Sequence, residues 1–173
     1  MNKNQGFTLI ELVVVIVILG ILAVTAAPKF IDLSTDARVA TLKGMQGAMR
    51  SGVKMIYAKA IIKNKVVGDD TLIVGSASIS LNSGYPVGNW VAGFRYIVDL
   101  DAVNFSSASA ICNVEWCGRG NQTSIPSGVT TTSPGRMGKV FPNGYSWNDE
   151  CGVYYINHEN GSEPEIGLET KDC

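Results

Sequence analysis

One long apolar run near the start of the chain constrains its fold more than any other feature. From Phe7 to Ala27 the sequence is FTLIELVVVIVILGILAVTAA, 21 residues in which Glu11 is the only charge. A helix of about 20 apolar residues spans the roughly 30 Å hydrocarbon core of a bilayer. We therefore predict that this run forms a membrane-spanning helix.

The residues that flank the run indicate its orientation. Only MNKNQG precedes it, with Lys3 as its one charge, so the positive-inside bias places this leader in the cytoplasm and the rest of the chain outside. An ordinary secretory signal, cut near Val24–Ala27, fits the same stretch. Glu11 argues against it, because a charge is costly in the membrane and useless in a discarded segment. A costly charge of this kind calls for a partner, and the alternative for Glu11 is that its side chain only snorkels to the interface.

The start of the run resembles a known family. Gly6 to Leu12, GFTLIEL, is similar to the prepilin signature of type IV pilins and their pseudopilin relatives. In that family a membrane peptidase cuts after the glycine, the new N-terminal phenylalanine is N-methylated, and the apolar segment stays in the product. The resemblance implies cleavage between Gly6 and Phe7, N-methylation of Phe7, and an assembly salt bridge between the Phe7 ammonium and Glu11 of the same or a neighbouring subunit.

A narrower resemblance rests on the residue sequence of the apolar run and on the positions of the cysteines. The stretch VVVIVILGILAVTAAPKF, with widely spaced cysteines in the C-terminal half, is most similar to the mannose-sensitive haemagglutinin pilins of marine and aquatic Gram-negative bacteria.

The helical pattern resumes after Pro28, which predicts a helix kink there and not a helix end. An apolar stripe recurs at three- and four-residue steps: Leu42, Met45, Met49, Val53, Ile56 and Ala60. A helix from about Phe7 to about Ile62 would be about 80 Å long, so half of it must protrude from any small domain. Gly20 lies in the protruding half. For Gly44, Gly47 and Gly52, close helix contact or melting on assembly and simple tolerance remain equal alternatives.

The rest of the chain predicts a β-sheet head. We divide the sequence into a leader at 1–6, an apolar half-helix at 7–28, an amphipathic half-helix at 29–65 and a head at 66–173. The predicted fold class is α+β, with an antiparallel sheet packed on the second half-helix. The candidate strands are Thr71–Val74, Ala77–Leu81, Val91–Leu100, Met137–Phe141, Gly152–Asn157 and Glu165–Glu169.

The four cysteines, Cys112, Cys117, Cys151 and Cys173, all lie in the last 62 residues, which favours disulfides in an oxidising compartment. Three pairings are open, and loop lengths do not choose among them. We predict Cys112 with Cys117, and Cys151 with Cys173, the latter tying the C-terminal tail as the C-terminal loop of type IV pilins is tied. Zinc at Cys112 and Cys117 is disfavoured, since no histidine is nearby.

Several function classes find little support in the sequence. The net charge of −1 suggests no nucleic-acid partner, and the presence of a single histidine, His158, argues against nucleophilic catalysis. The carboxylate clusters lack calcium-loop spacing, and Cys117–Asn121 resembles a phosphate cradle only superficially. We predict no enzyme activity, metal or cofactor. Loop aromatics suit sugar stacking, subunit contacts or core packing: Tyr85, Trp90, Trp116 and Trp147.

Together these features predict a structural subunit, the major pilin of a type IV pilus, that serves adhesion, surface attachment and biofilm formation. The resemblance implies an inner-membrane precursor, then an extracellular fibre of a Gram-negative bacterium. Its expected partners are other subunits, the prepilin peptidase, a membrane platform protein and assembly ATPases, with surface carbohydrate as a further candidate. The alternative is a type II secretion pseudopilin, against which the head size and cysteines argue. A membrane enzyme or receptor offers no use for Glu11.

Overall fold

A single long helix occupies the first third of the chain. The computed structural model describes residues 8–98, 103–104, 107–131 and 137–173, and within these it leaves out the side chains of residues 27–32 and 103–104. Helix α1 runs over Leu9–Ile62, 54 residues or about 80 Å at 1.5 Å per residue. The predicted helix is confirmed over this range, while Phe7 lies outside the described residues.

Helix α1 ends in a backbone motif that needs a left-handed residue. Asn64 has φ of +56°. The Lys65 N–H donates to the Ala60 carbonyl at 2.8 Å, and the Asn64 N–H donates to the Ile61 carbonyl at 2.9 Å. This pair of hydrogen bonds is a Schellman motif, in which asparagine tolerates the conformation that glycine usually adopts. The chain therefore leaves the helix at a defined point and turns into the first strand.

The second half of α1 packs on the head through the predicted apolar stripe. Five of the six stripe residues are buried, and the sixth, Met45, is partly buried against them: Leu42, Met49, Val53, Ile56 and Ala60. Four basic residues of this half lie off the stripe and are exposed: Lys43, Arg50, Lys54 and Lys59. The 3.6-residue period thus correctly separates the buried face from the exposed one.

Two sheets make up the β structure. The strands are β1 Asp69–Val74, β2 Ala77–Asn82, β3 Tyr85–Pro86, β4 Val103–Asn104, β5 Trp116–Gln122, β6 Met137–Pro142, β7 Gly152–Ile156 and β8 Glu165–Glu169. The first sheet has the order β1-β2-β3 and is antiparallel, and the second has the order β4-β5-β6-β7-β8. All neighbours in the second sheet are antiparallel except β4 and β5, which are parallel. The α+β class is confirmed.

The strand predicted over Val91–Leu100 is wrong for its described part. Residues 91–98 form turns and a short 3₁₀ helix over Phe94–Tyr96. The Asn89 side-chain oxygen accepts hydrogen bonds from the N–H groups of residues 91 and 92, both at 3.0 Å. Such local side-chain bonds compete with a strand ladder, and here they capture the backbone.

Strand β5 is not among the strands predicted from the sequence, because it is rich in glycine. A Cβ at Gly118 would strike the Trp90 ring, and one at Gly120 would strike the Trp90 backbone and the Gly88 carbonyl. The segment Cys117–Asn121, which superficially resembles a phosphate cradle, is thus a sheet strand whose glycines admit a tryptophan. Glycine in a strand interior commonly marks such close approach.

The contacts divide the chain into two compact units, with the boundary between Arg38 and Val39. The described part of the first unit is helical from Leu9 onward. The second holds the rest of α1, all eight strands and two clusters of buried side chains. The larger cluster joins the stripe of α1 to both sheets, and the smaller one surrounds the first disulfide.

Candidate functional site

The first half of α1 presents a surface that is apolar almost throughout. The stretch Leu9–Ala26 is the one helix segment among the described residues that is long and apolar enough to cross a membrane. None of it is buried. Its exposed side chains are almost all aliphatic, from Leu9 through Val24. A surface of this size and composition is unfavourable in water, so it requires a membrane or a protein partner.

Glu11 is held by the residue at the helix start. The Thr8 N–H and hydroxyl both donate to Glu11 Oε2, at 2.8 and 2.7 Å. The Glu11 N–H lies 3.4 Å from the Thr8 hydroxyl oxygen. This is a capping box, T-x-x-E, which satisfies backbone donors at the first turn of a helix. The spacing of Thr8 and Glu11 in the sequence is the signal that identifies this motif.

The surroundings of Glu11 are aliphatic. Ile10, Val14 and Val15 line a shallow concave surface next to its carboxylate. A charge placed among such side chains is favourable only with a partner of opposite charge or with hydrogen bonds. The capping box supplies the hydrogen bonds, and no cation is placed beside Glu11 within the part of the chain that the structure describes.

The two predicted processing residues fall outside the described part of the structure. The predicted kink residue, Pro28, is described only in its backbone. Gly6 and Phe7 precede the first described residue. The backbone at Pro28 is helical, and α1 continues through it without interruption in its secondary structure. The predicted cleavage, the N-methylation, the Phe7–Glu11 salt bridge and the kink at Pro28 therefore remain predictions.

Both predicted disulfides are present. Cys112 bonds to Cys117, with their Cα atoms 5.6 Å apart, and Cys151 bonds to Cys173, with theirs 5.0 Å apart. The first closes a short loop ahead of β5. The second ties the C-terminal residue to the start of β7.

Hydrogen bonds reinforce the tie at the C-terminus. The Tyr145 hydroxyl donates to the Cys173 carbonyl at 3.1 Å. The Glu150 N–H donates to Asp172 Oδ2 at 2.6 Å, and the Asp172 N–H donates to the Glu150 carbonyl at 3.2 Å. Lys171 Nζ lies 3.0 Å from the Glu150 carboxylate. The tail after β8 is therefore fixed both covalently and by its backbone.

A buried ion pair, absent from the sequence prediction, lies beside this tie. Lys139 Nζ of β6 lies 2.5 Å from Glu169 Oε2 of β8, and the two side chains are 0% and 1% exposed. The ammonium also donates to the Trp147 and Asp149 carbonyls, at 3.0 and 2.6 Å. The second carboxylate oxygen accepts the Ser127 N–H at 2.9 Å. Each charge thus has several partners, as burial requires.

The pair spans an intervening strand through a glycine. Gly152 of β7 is the register partner of Glu169, and a Cβ at residue 152 would strike the Lys139 side chain. Burial lowers the pKa of the Lys139 ammonium below its ordinary value, and the hydrogen bond that the ammonium donates to the Glu169 carboxylate opposes that shift. A lysine inside an otherwise apolar strand, MGKVFP, was the available signal for this pair.

The loop aromatics serve mainly as packing groups. Trp90 and Trp147 are buried in the two core clusters, and Tyr85 stacks on Tyr57 with ring centroids 4.3 Å apart. Trp147 also lies against two cations, with Arg119 and Lys139 about equally distant from its ring at 5.5 and 5.6 Å. Of the three roles left open for Trp90 and Trp147, the structure therefore supports core packing and not sugar stacking.

His158 lies beside a carboxylate and not beside a nucleophile pair. Its Nε2 is 3.6 Å from Glu165 Oε2, and the Glu165 carboxylate also accepts the Tyr154 hydroxyl at 3.0 Å. Within the described ranges, no three histidine, cysteine or acidic side chains converge as metal ligands would.

Comparison with known proteins points to the same N-terminal segment. Residues 1–27 match the family described as the prokaryotic N-terminal methylation motif. The chain is 46% identical over 63 residues to the type IV narrow pilus major component PilA5 of Thermus thermophilus, which covers 36% of this chain and 51% of that protein. It is 36% identical over 76 residues to the fimbrial protein EcpB of Eikenella corrodens, covering 44% and 48%.

A third relative is the type IV major pilin protein PilA of Myxococcus xanthus, 37% identical over 57 residues, which covers 33% of this chain and 26% of that protein. The matches thus span about half or less of the relatives' lengths. No solved structure matches the chain significantly. The similarity is to structural components of pili, and none of these three names is that of an enzyme.

Proposed function

We propose that this chain is a structural subunit, the major pilin, of a type IV pilus. One combination carries the proposal: an N-terminal methylation motif at residues 1–27 begins a helix whose first half is exposed and apolar and whose second half packs one apolar face on an α+β head. Such a helix suits storage in a membrane followed by transfer into a bundle of like helices. The apolar surface then stays dry in both states.

We propose that the subunit is made as an inner-membrane precursor with the leader at 1–6 in the cytoplasm. The prepilin peptidase then cuts between Gly6 and Phe7, and Phe7 is N-methylated. The N-terminal methylation motif supports both steps. Assembly ATPases and a membrane platform protein supply the work of extrusion, so the subunit itself requires no nucleotide site.

Cleavage would create an ammonium at Phe7, and Glu11 is the acidic residue of the apolar segment that can neutralise it. Axial register between neighbouring helices follows from that pairing, because only one stagger brings the two charges together. The capping box offers a second, purely local role for Glu11. The two roles differ in their requirement for charge, which allows them to be separated.

Glycines on the exposed faces of α1 support close packing between helices. A Cβ at Gly20, Gly44 or Gly47 would meet no atom within 4 Å. Glycine in a helix interior costs about 0.5–1 kcal/mol relative to alanine, and no described residue of the subunit packs against these positions to offset that cost. Gly52 differs, since a Cβ there would strike the Ile97 carbonyl. We assign the first three to contacts between subunits, and Gly52 to the head.

We further propose that this chain is a mannose-sensitive haemagglutinin pilin of a Gram-negative bacterium. Its fibre serves adhesion to surfaces or to surface carbohydrate, and biofilm formation. Two disulfides in the C-terminal half are in keeping with that group. No specific observation favours the pseudopilin alternative.

The N-terminus and mass of protein in fibres sheared from cells test the proposal. We expect a methylated phenylalanine at residue 7 and a mass that accounts for two disulfides. An N-terminus near Ala27 would mean an ordinary secreted protein, and the proposal would then be abandoned.

A further inference from the structure

An open groove in the second compact unit runs between α1 and the segment that leads into β8. It encloses about 390 Å³ and is lined by Arg50, Val53 and Lys54 on one side and by residues 163–166 on the other. Its floor is apolar, because Val53 and Pro164 are buried beneath it. Grooves of this volume fall within the range of about 300–1,000 Å³ that small binding sites occupy.

The two rims of the groove carry opposite charges. Lys54 on α1 is exposed, and Arg50 reaches across to the carbonyl of Ile166 with Nη2 at 3.4 Å. Glu163 and Glu165 form the facing rim, and Glu163 is exposed. A ligand with a single charge would be attracted by one rim and repelled by the other. None of the described lining residues is aromatic, so the groove also lacks a stacking surface for sugars.

This geometry fits an aliphatic side chain that is flanked by one cation and one anion. The chain itself carries such a segment just after α1. Val67 is 86% exposed, with exposed Lys63 before it and exposed Asp69 after it. The loop is held in shape, since Lys65 pairs with Asp70 at 2.5 Å. Because the loop is already fixed, docking its exposed aliphatic residue onto a partner costs little additional conformational entropy.

We propose that Val67 of one copy inserts into this groove on a neighbouring copy in the fibre. In that arrangement Lys63 faces Glu163, and Asp69 faces Lys54. The inference rests on the proposed function, because it names the surfaces that join the subunits. The two surfaces lie on different parts of the subunit, so the contact is heterologous and repeats into an open helical filament.

Cysteine cross-linking in fibres tests the contact. The full-length chain carrying Val67→Cys together with Glu163→Cys is expected to give a ladder of covalent multimers when sheared fibres are run without reductant. Each single variant is expected to give none. The matched control is Val91→Cys with Glu163→Cys, since Val91 is also well exposed but lies in neither surface.

Charge reversal provides a second measurement that does not depend on cysteine chemistry. Lys63→Glu should lower fibre yield by at least about threefold, the scale of an exposed ion pair turned repulsive. Adding Glu163→Lys should restore the yield. Fibres without a ladder, or a double reversal no better than the single one, would overturn this contact and leave the pilin proposal standing. Absence of fibres from the unaltered chain would overturn the pilin proposal itself.

Discussion

The first half of α1 and the head differ in whether their apolar side chains are exposed or buried. Over Leu9–Ala26 the helix leaves its aliphatic side chains exposed, and its polar contacts are local, as at the capping box. The head buries its stripe from Leu42 to Ala60 and locks its C-terminus with a disulfide and a buried ion pair. Changes in the first region should therefore alter assembly, whereas changes in the second should alter the stability of the subunit.

The largest effect is expected at Glu11. Glu11→Gln keeps a side chain that can complete a capping box but removes the charge. If charge pairing with the Phe7 ammonium sets register, this variant should be processed and inserted normally yet give no fibres. Fibre counts by electron microscopy and the precursor-to-mature ratio measure the two steps. Full fibre yield from Glu11→Gln would leave only the capping role.

Within the head the largest loss is expected from breaking the buried ion pair. Lys139→Met leaves the Glu169 carboxylate buried without its cation, which typically costs about 3–5 kcal/mol. Replacing both, as Lys139→Met with Glu169→Leu, should recover most of that loss. Urea unfolding of the detergent-solubilised full chain gives the values. Lys171→Met, at an exposed ion pair, is the control and should show no measurable loss.

The two disulfides should differ in their contributions. Removing Cys151–Cys173, with a sequence separation of 22, should cost about 3 kcal/mol, and removing Cys112–Cys117, with a separation of 5, about 2 kcal/mol. The reason is that the longer loop restricts the unfolded chain more. Unfolding of the two double-serine variants measures the difference. A greater loss at the shorter loop would assign the effect to packing around the buried sulfurs.

Two glycines of the same helix sharpen the contrast between the regions. Gly52→Ala should destabilise the head by about 1–3 kcal/mol, because its Cβ would overlap the Ile97 carbonyl. Gly44→Ala should instead stabilise the isolated subunit by about 0.5–1 kcal/mol. If Gly44 admits a neighbouring helix, the same variant should lower fibre yield. Unchanged fibre yield would show that Gly44 is merely tolerated.

The smallest expected effect is a loss of stability at alkaline pH. Burial, aided by the hydrogen bond to Glu165, raises the pKa of Tyr154 from 10.0 to about 12. The folded state therefore holds this proton when the unfolded state has released it, so the contribution of Tyr154 is present below pH 10 and is lost between pH 10 and about 12. Tyr154→Phe should flatten the stability profile in that window. An unchanged profile would assign the alkaline loss to other groups.

Periodicity and local motifs predicted much of this molecule. The apolar run, the stripe from Leu42 to Ala60 and most strands of the second sheet follow from side-chain patterns that each depend on a few neighbouring residues. Two errors have different causes. Residues 91–98 have strand-like composition, but the Asn89 side chain bonds to the backbone of residues 91 and 92, whereas Trp116–Gln122 has glycines unsuited to a strand until Trp90 packs on them.

The sequence alone determined the long helix and the division between its exposed first half and the buried stripe of its second half, because helix period and apolar length are local properties of the chain. Loop lengths left three cysteine pairings open, and the structure shows the predicted pairs, Cys112–Cys117 and Cys151–Cys173. Only the tertiary structure brought Lys139 to Glu169 and placed Arg50 and Lys54 opposite residues 163–166. Those pairs join residues distant in sequence, and their meeting depends on strand order and register. No local pattern carries that information.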